Sequence, residues 1–232
     1  MLEIGPGRGA LTRVLVERGA RVTAIEKDRE LAALVEAALP AVRVIAGDAL
    51  ELDWRQAAGA DPGEPLLVAG NIPYNITSPL LTKALEPPRP LCIVFLVQEE
   101  VADRLAAPAG HSAYGALSVG VQSVARVEKL FRVPSGAFQP RPKVNSAVVR
   151  LTPLAEPLVQ DRDVAALRRL VVGLFGFRRK QLARGLREYT GWAPERVGEI
   201  LREAGIEPTA RPETLSPETF VRLLEIVAGR AP

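Results

Sequence analysis

Leu66-Leu67-Val68-Ala69-Gly70-Asn71-Ile72-Pro73-Tyr74 runs from an unbroken apolar stretch straight into a polar and aromatic turn. Four consecutive apolar residues read as a strand buried on both faces, the kind that parallel sheets use. Asn71, Pro73 and Tyr74 then fall at the carboxyl end of that strand, where such sheets open their binding crevice. An Asn amide, a proline-stiffened backbone and an aromatic ring suit a flat group that bears an exocyclic amine. The Asn71 side-chain oxygen and a nearby backbone carbonyl can accept both amine hydrogens while Tyr74 stacks on the ring. This is equipment for methylating an amino group on a nucleobase, and it makes Asn71, Pro73 and Tyr74 the candidate catalytic residues.

The strand signal recurs on either side of this stretch. Strand-like segments fall at residues 1–4, 21–25, 42–45, 66–69 and 91–97, and helix-like segments at 10–18, 28–39, 78–85 and 98–106 alternate with them. Such alternation predicts an α/β fold, a doubly wound Rossmann-like sheet. Two later segments, 126–133 and 147–151, are expected as a hairpin at the sheet edge. Asp61-Pro62-Gly63-Glu64-Pro65 and Pro87-Pro88-Arg89-Pro90 supply turn chemistry before the fourth and fifth strands. Past residues 152–157 the pattern is helical only, with spans expected at 163–175, 178–189, 194–204 and 217–227. Ser216 is the expected N-cap of the last helix, with Pro217 at its first position. The expected division is a sheet domain over 1–153 and a small all-helical domain over 154–232.

Composition narrows the class. The 232 residues are 47% hydrophobic and 25% charged, ordinary values for a globular protein. No apolar run approaches the roughly 20 residues that span a bilayer. The opening Met1-Leu2-Glu3-Ile4-Gly5 has neither a basic segment nor a long apolar one, so a cytoplasmic protein without a leader or membrane attachment is expected. One cysteine, Cys92, and one histidine, His111, leave no means for an internal disulfide and argue against a His/Cys metal site. The net charge of +3 is modest, but its distribution is uneven. Between Val164 and Arg187 there is no acid, while Arg168, Arg169, Arg178, Arg179, Lys180, Arg184 and Arg187 all fall there. Such a block suits phosphate contacts, and equally suits a solvated helix face.

Glu3-Ile4-Gly5-Pro6-Gly7-Arg8-Gly9 follows the first strand and opens a helix. Glycines there let backbone and ligand approach where side chains would clash. Glu26 ends the second strand, where a carboxylate can accept from both ribose hydroxyls. Asp48, in Gly47-Asp48-Ala49, follows the third strand and can take an adenine amine. The G-x-G-x-G spacing, with Glu3 before it to orient an amino-acid end, favours S-adenosylmethionine over a dinucleotide. The candidate cofactor residues are Glu3, Gly5, Gly7, Glu26, Lys27, Asp48, Ala49 and Asn71.

With these motifs in order, the chain resembles the ribosomal RNA adenine dimethyltransferases, in particular their bacterial small-subunit branch. The matching residues are Glu3–Gly9, Glu26-Lys27-Asp28, Gly47-Asp48-Ala49, Asn71–Ser78, Phe95–Val101, Tyr114-Gly115, Gly136–Ser146, Arg178-Arg179-Lys180 and Leu215-Ser216. The related erythromycin-resistance enzymes of the large subunit share the donor and acceptor motifs. The runs Tyr114–Ser118 and Val133–Phe138 look more like the small-subunit branch. The resemblance implies transfer of two methyl groups to N6 of each of two adjacent adenosines in a hairpin near the 3′ end of small-subunit RNA. The expected partner is small-subunit RNA in an immature 30S particle, with the protein expected to act as a monomer. Tyr74 and Phe138 are candidates for holding the adenine, stacking being worth about 1–3 kcal/mol per base. Lys143, with Arg141, and Arg178, Arg179 and Lys180 are candidate RNA contacts. Tyr114 either shapes the target loop or packs.

The family carries a helix and a Gln-Asn-Phe-Leu-type motif before its first strand, which this sequence does not display. One side of the donor pocket is therefore expected to be unbuilt in this stretch. Two alternatives follow: a large-subunit adenine methyltransferase of the macrolide-resistance type, or an RNA-binding ribosome-assembly factor with impaired catalysis. A nicotinamide-dependent oxidoreductase leaves Asn71–Tyr74 unexplained.

Overall fold

The computed structural model describes residues 1–61, 63–177 and 180–230. Its elements run β1 (Leu2–Ile4), α1 (Ala10–Glu17), β2 (Thr23–Glu26), α2 (Arg29–Ala38), β3 (Arg43–Ala46), α3 (Trp54–Ala58), β4 (Leu67–Asn71), α4 (Thr77–Ala84), β5 (Cys92–Gln98) and α5 (Glu99–Ala106). Then follow α6 (Ala116–Gln122), β6 (Ala125–Val133), β7 (Ser146–Pro153), α7 (Val164–Gly176), α8 (Leu182–Thr190), α9 (Pro194–Glu203) and α10 (Pro217–Gly229). The strands form one sheet in the order β3-β2-β1-β4-β5-β7-β6. β3, β2, β1, β4 and β5 are parallel, and β7 runs antiparallel to β5. The doubly wound sheet expected from sequence is present. The late pair sits at its edge, with β7 inside and β6 outermost.

The chain lays down β1, β2 and β3 in one direction, then returns past β1 to place β4 and β5 on the other side. The reversal between β1 and β4 is the switch point at which open α/β sheets bind ligands. β1 and β2 are buried along their whole length because helices cover both faces of a parallel sheet. β4 approaches β1 closely at Gly70. A Cβ there would meet the Ile4 carbonyl oxygen at 2.6 Å and Ile72 Cδ1 at 2.8 Å, so only glycine fits. Where the sheet turns antiparallel, burial alternates along the strand. Ile93, Phe95 and Val97 stand opposite Leu151, Val149 and Ala147, and all six are fully buried. Asp28 caps α2 by accepting from the Glu30 and Leu31 N–H groups at 2.8 and 3.2 Å.

The chain divides into two compact units, Met1–Ala102 with Glu128–Pro153, and Asp103–Val127 with the chain from Leu154 onward. Residues 103–127, assigned by sequence to the sheet domain, thus fold with the helices. Tyr114 is the reason most easily seen. It is fully buried, its ring meets Phe175 edge-on at 6.1 Å, and its hydroxyl donates to the Leu215 carbonyl at 2.8 Å. Phe175 in turn stacks on Phe220 at 5.9 Å. Of its two sequence readings, packing is the observed one, and burial pushes the Tyr114 phenol well above its usual range. Ser216 caps α10 as expected, accepting from Thr219 N–H at 3.3 Å, with Pro217 first in the helix.

Candidate active site

The loop after β1 turns on three glycines in the left-handed region, Gly5, Gly7 and Gly9, with φ of +67°, +58° and +80°. Side-chain-bearing residues reach that region only under strain, so the glycine spacing is the geometry of the loop. The carboxyl end of β2 holds it in place. Gly5 N–H donates to the Ile25 carbonyl at 2.9 Å, and Gly7 N–H donates to Glu26 Oε2 at 3.0 Å. Glu26 Oε1 accepts from Asp28 N–H at 3.1 Å. Each carboxylate oxygen keeps a second lone pair, so Glu26 braces the loop and still has capacity for two hydroxyls.

The third strand end joins the same network. Gly47 N–H donates to the Glu26 carbonyl at 2.8 Å. Asp48 Oδ1 accepts from Leu50 N–H at 2.9 Å, and Oδ2 from Lys27 Nζ at 2.8 Å. The Lys27 hydrogen bond, then that of Leu50, holds the Asp48 carboxyl below its ordinary range. Lys27 is 77% exposed, so the ammonium can leave Asp48 without crossing a packed region. Ala49 is buried, its carbonyl accepting from Trp54 Nε1 at 2.7 Å.

Glu3 is 1% exposed, and its Oε2 is buried without a hydrogen-bond partner among the described residues. Burial pushes its carboxyl above the ordinary range, tempered by the adjacent Thr12 hydroxyl. Thr12 Oγ1 is itself buried, near the Glu3 carboxyl but without a well-formed hydrogen bond among the described residues. Two buried polar groups thus lie at the root of the glycine loop without well-formed hydrogen bonds among the described residues, where natural interiors satisfy nearly all such groups.

Asn71 ends β4 beside this loop. A Cβ on Gly5 would lie 3.9 Å from the Asn71 carbonyl oxygen. Asn71 is exposed, Ile72 is buried and its N–H donates to the Leu96 carbonyl at 3.1 Å. Pro73 leads into a 3-10 turn, Tyr74–Ile76, closed by Ile76 N–H on the Pro73 carbonyl at 3.1 Å. The Tyr74 hydroxyl lies 2.9 Å from Ser146 Oγ at the start of β7. Phe138 is half-buried and follows a second 3-10 turn, Ser135–Ala137, in which Ser135 N–H donates to Asn145 Oδ1 at 3.1 Å. Lys143 is exposed on the same loop. Asn145 and Ser146 lie within the matched motif, yet their side-chain roles depend on partners far along the chain. Sequence reasoning assigned them none.

The basic segment is a different arrangement. Arg178 and Arg179 lie outside the described residues. Lys180, in the helical unit, donates to both Glu188 oxygens at 2.8 Å, and Arg184 Nε donates to Glu188 Oε1 at 3.1 Å. These two cations hold the Glu188 carboxyl below its usual range. The acid-free block is followed at once by an acid that engages two of its cations.

The site therefore gathers Glu3, the glycine loop, Glu26, Lys27, Asp48 and Asn71 at adjoining strand ends, with Tyr74 anchored next to them. A family model, ribosomal RNA adenine dimethylase, matches residues 1–229. The chain belongs to the ribosomal RNA adenine dimethylase family. A relative from Maridesulfovibrio salexigens, named ribosomal RNA small subunit methyltransferase A, is 41% identical over 233 residues, covering 100% of this chain and 86% of its own. The crystal structure of a dimethyladenosine transferase from Plasmodium falciparum aligns with a TM-score of 0.80 at 25% identity, over 98% of this chain and 89% of that one. The crystal structure of the 23S rRNA methyltransferase ErmE aligns with a TM-score of 0.70 at 30% identity, over 98% and 90%. As an adenine dimethylase by family, the chain carries its glycine loop and its Asn-Ile-Pro-Tyr turn at the switch point of a sheet shared with these structures.

Proposed function

We propose that this protein transfers methyl groups from S-adenosylmethionine to N6 of two adjacent adenosines in a 3′-terminal hairpin of small-subunit ribosomal RNA. The observation that carries the reading is the Asn71–Tyr74 turn at the end of β4, alongside Gly5, in a chain of the adenine dimethylase family. The residues present fit the donor. Glu3 Oε2 is a buried acceptor without a well-formed hydrogen bond among the described residues, and an amino-acid end would bring it N–H groups. Glu26 has lone pairs for ribose hydroxyls, and Asp48 can accept an adenine amine once Lys27 moves aside. Bound there, S-adenosylmethionine would supply an electrophilic methyl to the target nitrogen, with the thioether as leaving group.

Asn71 and the Ile72 carbonyl accept the two amine hydrogens of the target adenine. This draws the nitrogen lone pair out of ring conjugation and aims it. Tyr74 and Phe138 hold the base by stacking. The nitrogen becomes acidic once it carries positive charge, and its proton passes to water, so no histidine is needed. Lys143 and the cations from Arg168 to Arg187, Arg178, Arg179 and Lys180 included, hold RNA by its phosphates. The division of labour is donor, base and the Lys143 contact in the sheet unit, with the remaining RNA docking on the helices, in a monomer acting on an immature 30S particle in the cytoplasm.

The ErmE alignment favours a second reading, a large-subunit target. The higher identity to a relative named for the small subunit, 41% against 30%, supports the first. The test is methyl transfer to unmethylated small subunits, read as N6,N6-dimethyladenosine by mass spectrometry. Asn71→Ala is expected to lower kcat about 10²–10³-fold, as loss of one preorganised transition-state contact does. A loss under about threefold overturns the assignment of Asn71. RNA and donor binding without transfer by the unaltered chain would mark an assembly factor instead.

A further inference from the structure

Two aromatic side chains assigned to the base pocket, Tyr74 and Phe138, lie 64 residues apart, yet both are tied to one dipeptide. Ser146 is fully buried, and its Oγ lies 2.9 Å from the Tyr74 hydroxyl across 72 positions of sequence. Its neighbour Asn145 accepts the Ser135 N–H through Oδ1 at 3.1 Å, in the turn that ends at Phe138. Asn145 is itself fixed from behind, because its carbonyl accepts the Glu99 N–H at 3.0 Å just past β5. Ser146 opens β7 and stands opposite Gln98 in the β5–β7 ladder, inside the sheet, and Asn145 immediately precedes it. Ser135 is buried, and its Oγ accepts from Arg141 Nε at 3.1 Å, which leaves the turn little freedom.

A buried hydroxyl aimed at a tyrosine hydroxyl is not needed for packing. Alanine fills the same space more cheaply, without a polar group to desolvate. We infer that Asn145 and Ser146 are positioning residues that set the two walls of the adenine pocket, Ser146 through the Tyr74 hydroxyl and Asn145 through the turn carrying Phe138. The inference rests on the adenine-methylation reading and deepens it. The start of β7 gives two separate loops a common reference, so the gap into which the base slides is fixed before RNA arrives. A pocket built this way captures the extruded base without ordering the loops at the moment of binding.

The experiment uses the full chain and an RNA hairpin with 2-aminopurine at the target adenine, whose fluorescence reports unstacking and recapture by an aromatic wall. Ser146→Ala is expected to weaken base capture and, in methyl transfer to the same RNA with adenine at the target, to raise KM roughly 3- to 10-fold, the worth of one net hydrogen bond, with kcat changed less. In a Tyr74→Phe background the same substitution is expected to add nothing, because there is no hydroxyl left to hold. Asn145→Ala is expected to do comparable harm, and Asn145→Asp, which keeps the accepting oxygen, to restore capture. Equal loss from Ser146→Ala in both backgrounds overturns the inference for Ser146, and failure of Asn145→Asp to restore overturns it for Asn145. Thermal unfolding of each variant separates positioning from general destabilisation. If the unaltered chain gives no capture signal on any RNA, the adenine reading fails instead.

Discussion

Glu3 is a residue at which folding and ligand binding pull in opposite directions. Unfolded, its carboxyl titrates near its ordinary 4.5, and burial raises that value in the folded chain. Between the two values the folded state holds the extra proton. Stability therefore falls as pH rises above 4.5 through that window. Glu3→Gln removes the buried charge. It is expected to raise the unfolding midpoint at pH 7, with the gain shrinking as pH drops toward 4, as thermal denaturation across that range will read. The same variant is expected to bind S-adenosylmethionine at least 10-fold more weakly by calorimetry, a hydrogen bond to a charged group being worth about 1.5–3 kcal/mol. A variant no more stable at pH 7 would mean that Glu3 has a partner in the folded protein.

At the scale of elements, α8 shows how a sequence block and its structure differ. Lys180 and Arg184 read as free cations in an acid-free stretch, but Glu188 bridges them with its two oxygens. A phosphate docking there must displace a carboxylate already in place. Glu188→Gln is expected to tighten RNA binding and to steepen its salt dependence, each added phosphate contact contributing about −0.7 to the log–log slope on single-stranded RNA. Filter binding over a salt series measures this; a shallower slope would mean that Glu188 arranges the cations for RNA. The start of α8 also differs from the expected span beginning at 178. Leu182 N–H donates to the Ala210 carbonyl at 2.7 Å, so the described helix begins only at Leu182. β4 and its turn were legible because burial, strand and motif coincide within nine residues. α6 was not, since Ser118, Val119, Gly120 and Val121 are poor helix formers. It is held by tertiary bonds such as Gln122 Nε2 on the Leu105 and Ala107 carbonyls at 2.8 and 2.9 Å. The same limit hid Ser146 and Asn145. Glu26, Asp48 and Asn71 betray themselves by ending strands, whereas the partners of Ser146 and Asn145 come from other parts of the chain.

For the whole molecule, family membership spans nearly the full chain, and the donor loop, acceptor turn and β7 all lie in one compact unit. The helical unit carries its own aromatic core around Tyr114, Phe175 and Phe220. The proposed arrangement gives each unit one task, and the identity of the RNA is the claim on which the others depend. The most direct measurement presents unmethylated small and large ribosomal subunits together to the protein with labelled S-adenosylmethionine, then maps the label. The account predicts label in two adjacent adenosines near the 3′ end of the small-subunit RNA, its rate of appearance cut about 10²–10³-fold by Asn71→Ala. Label in the large-subunit RNA, or in any group other than adenine N6, would contradict it.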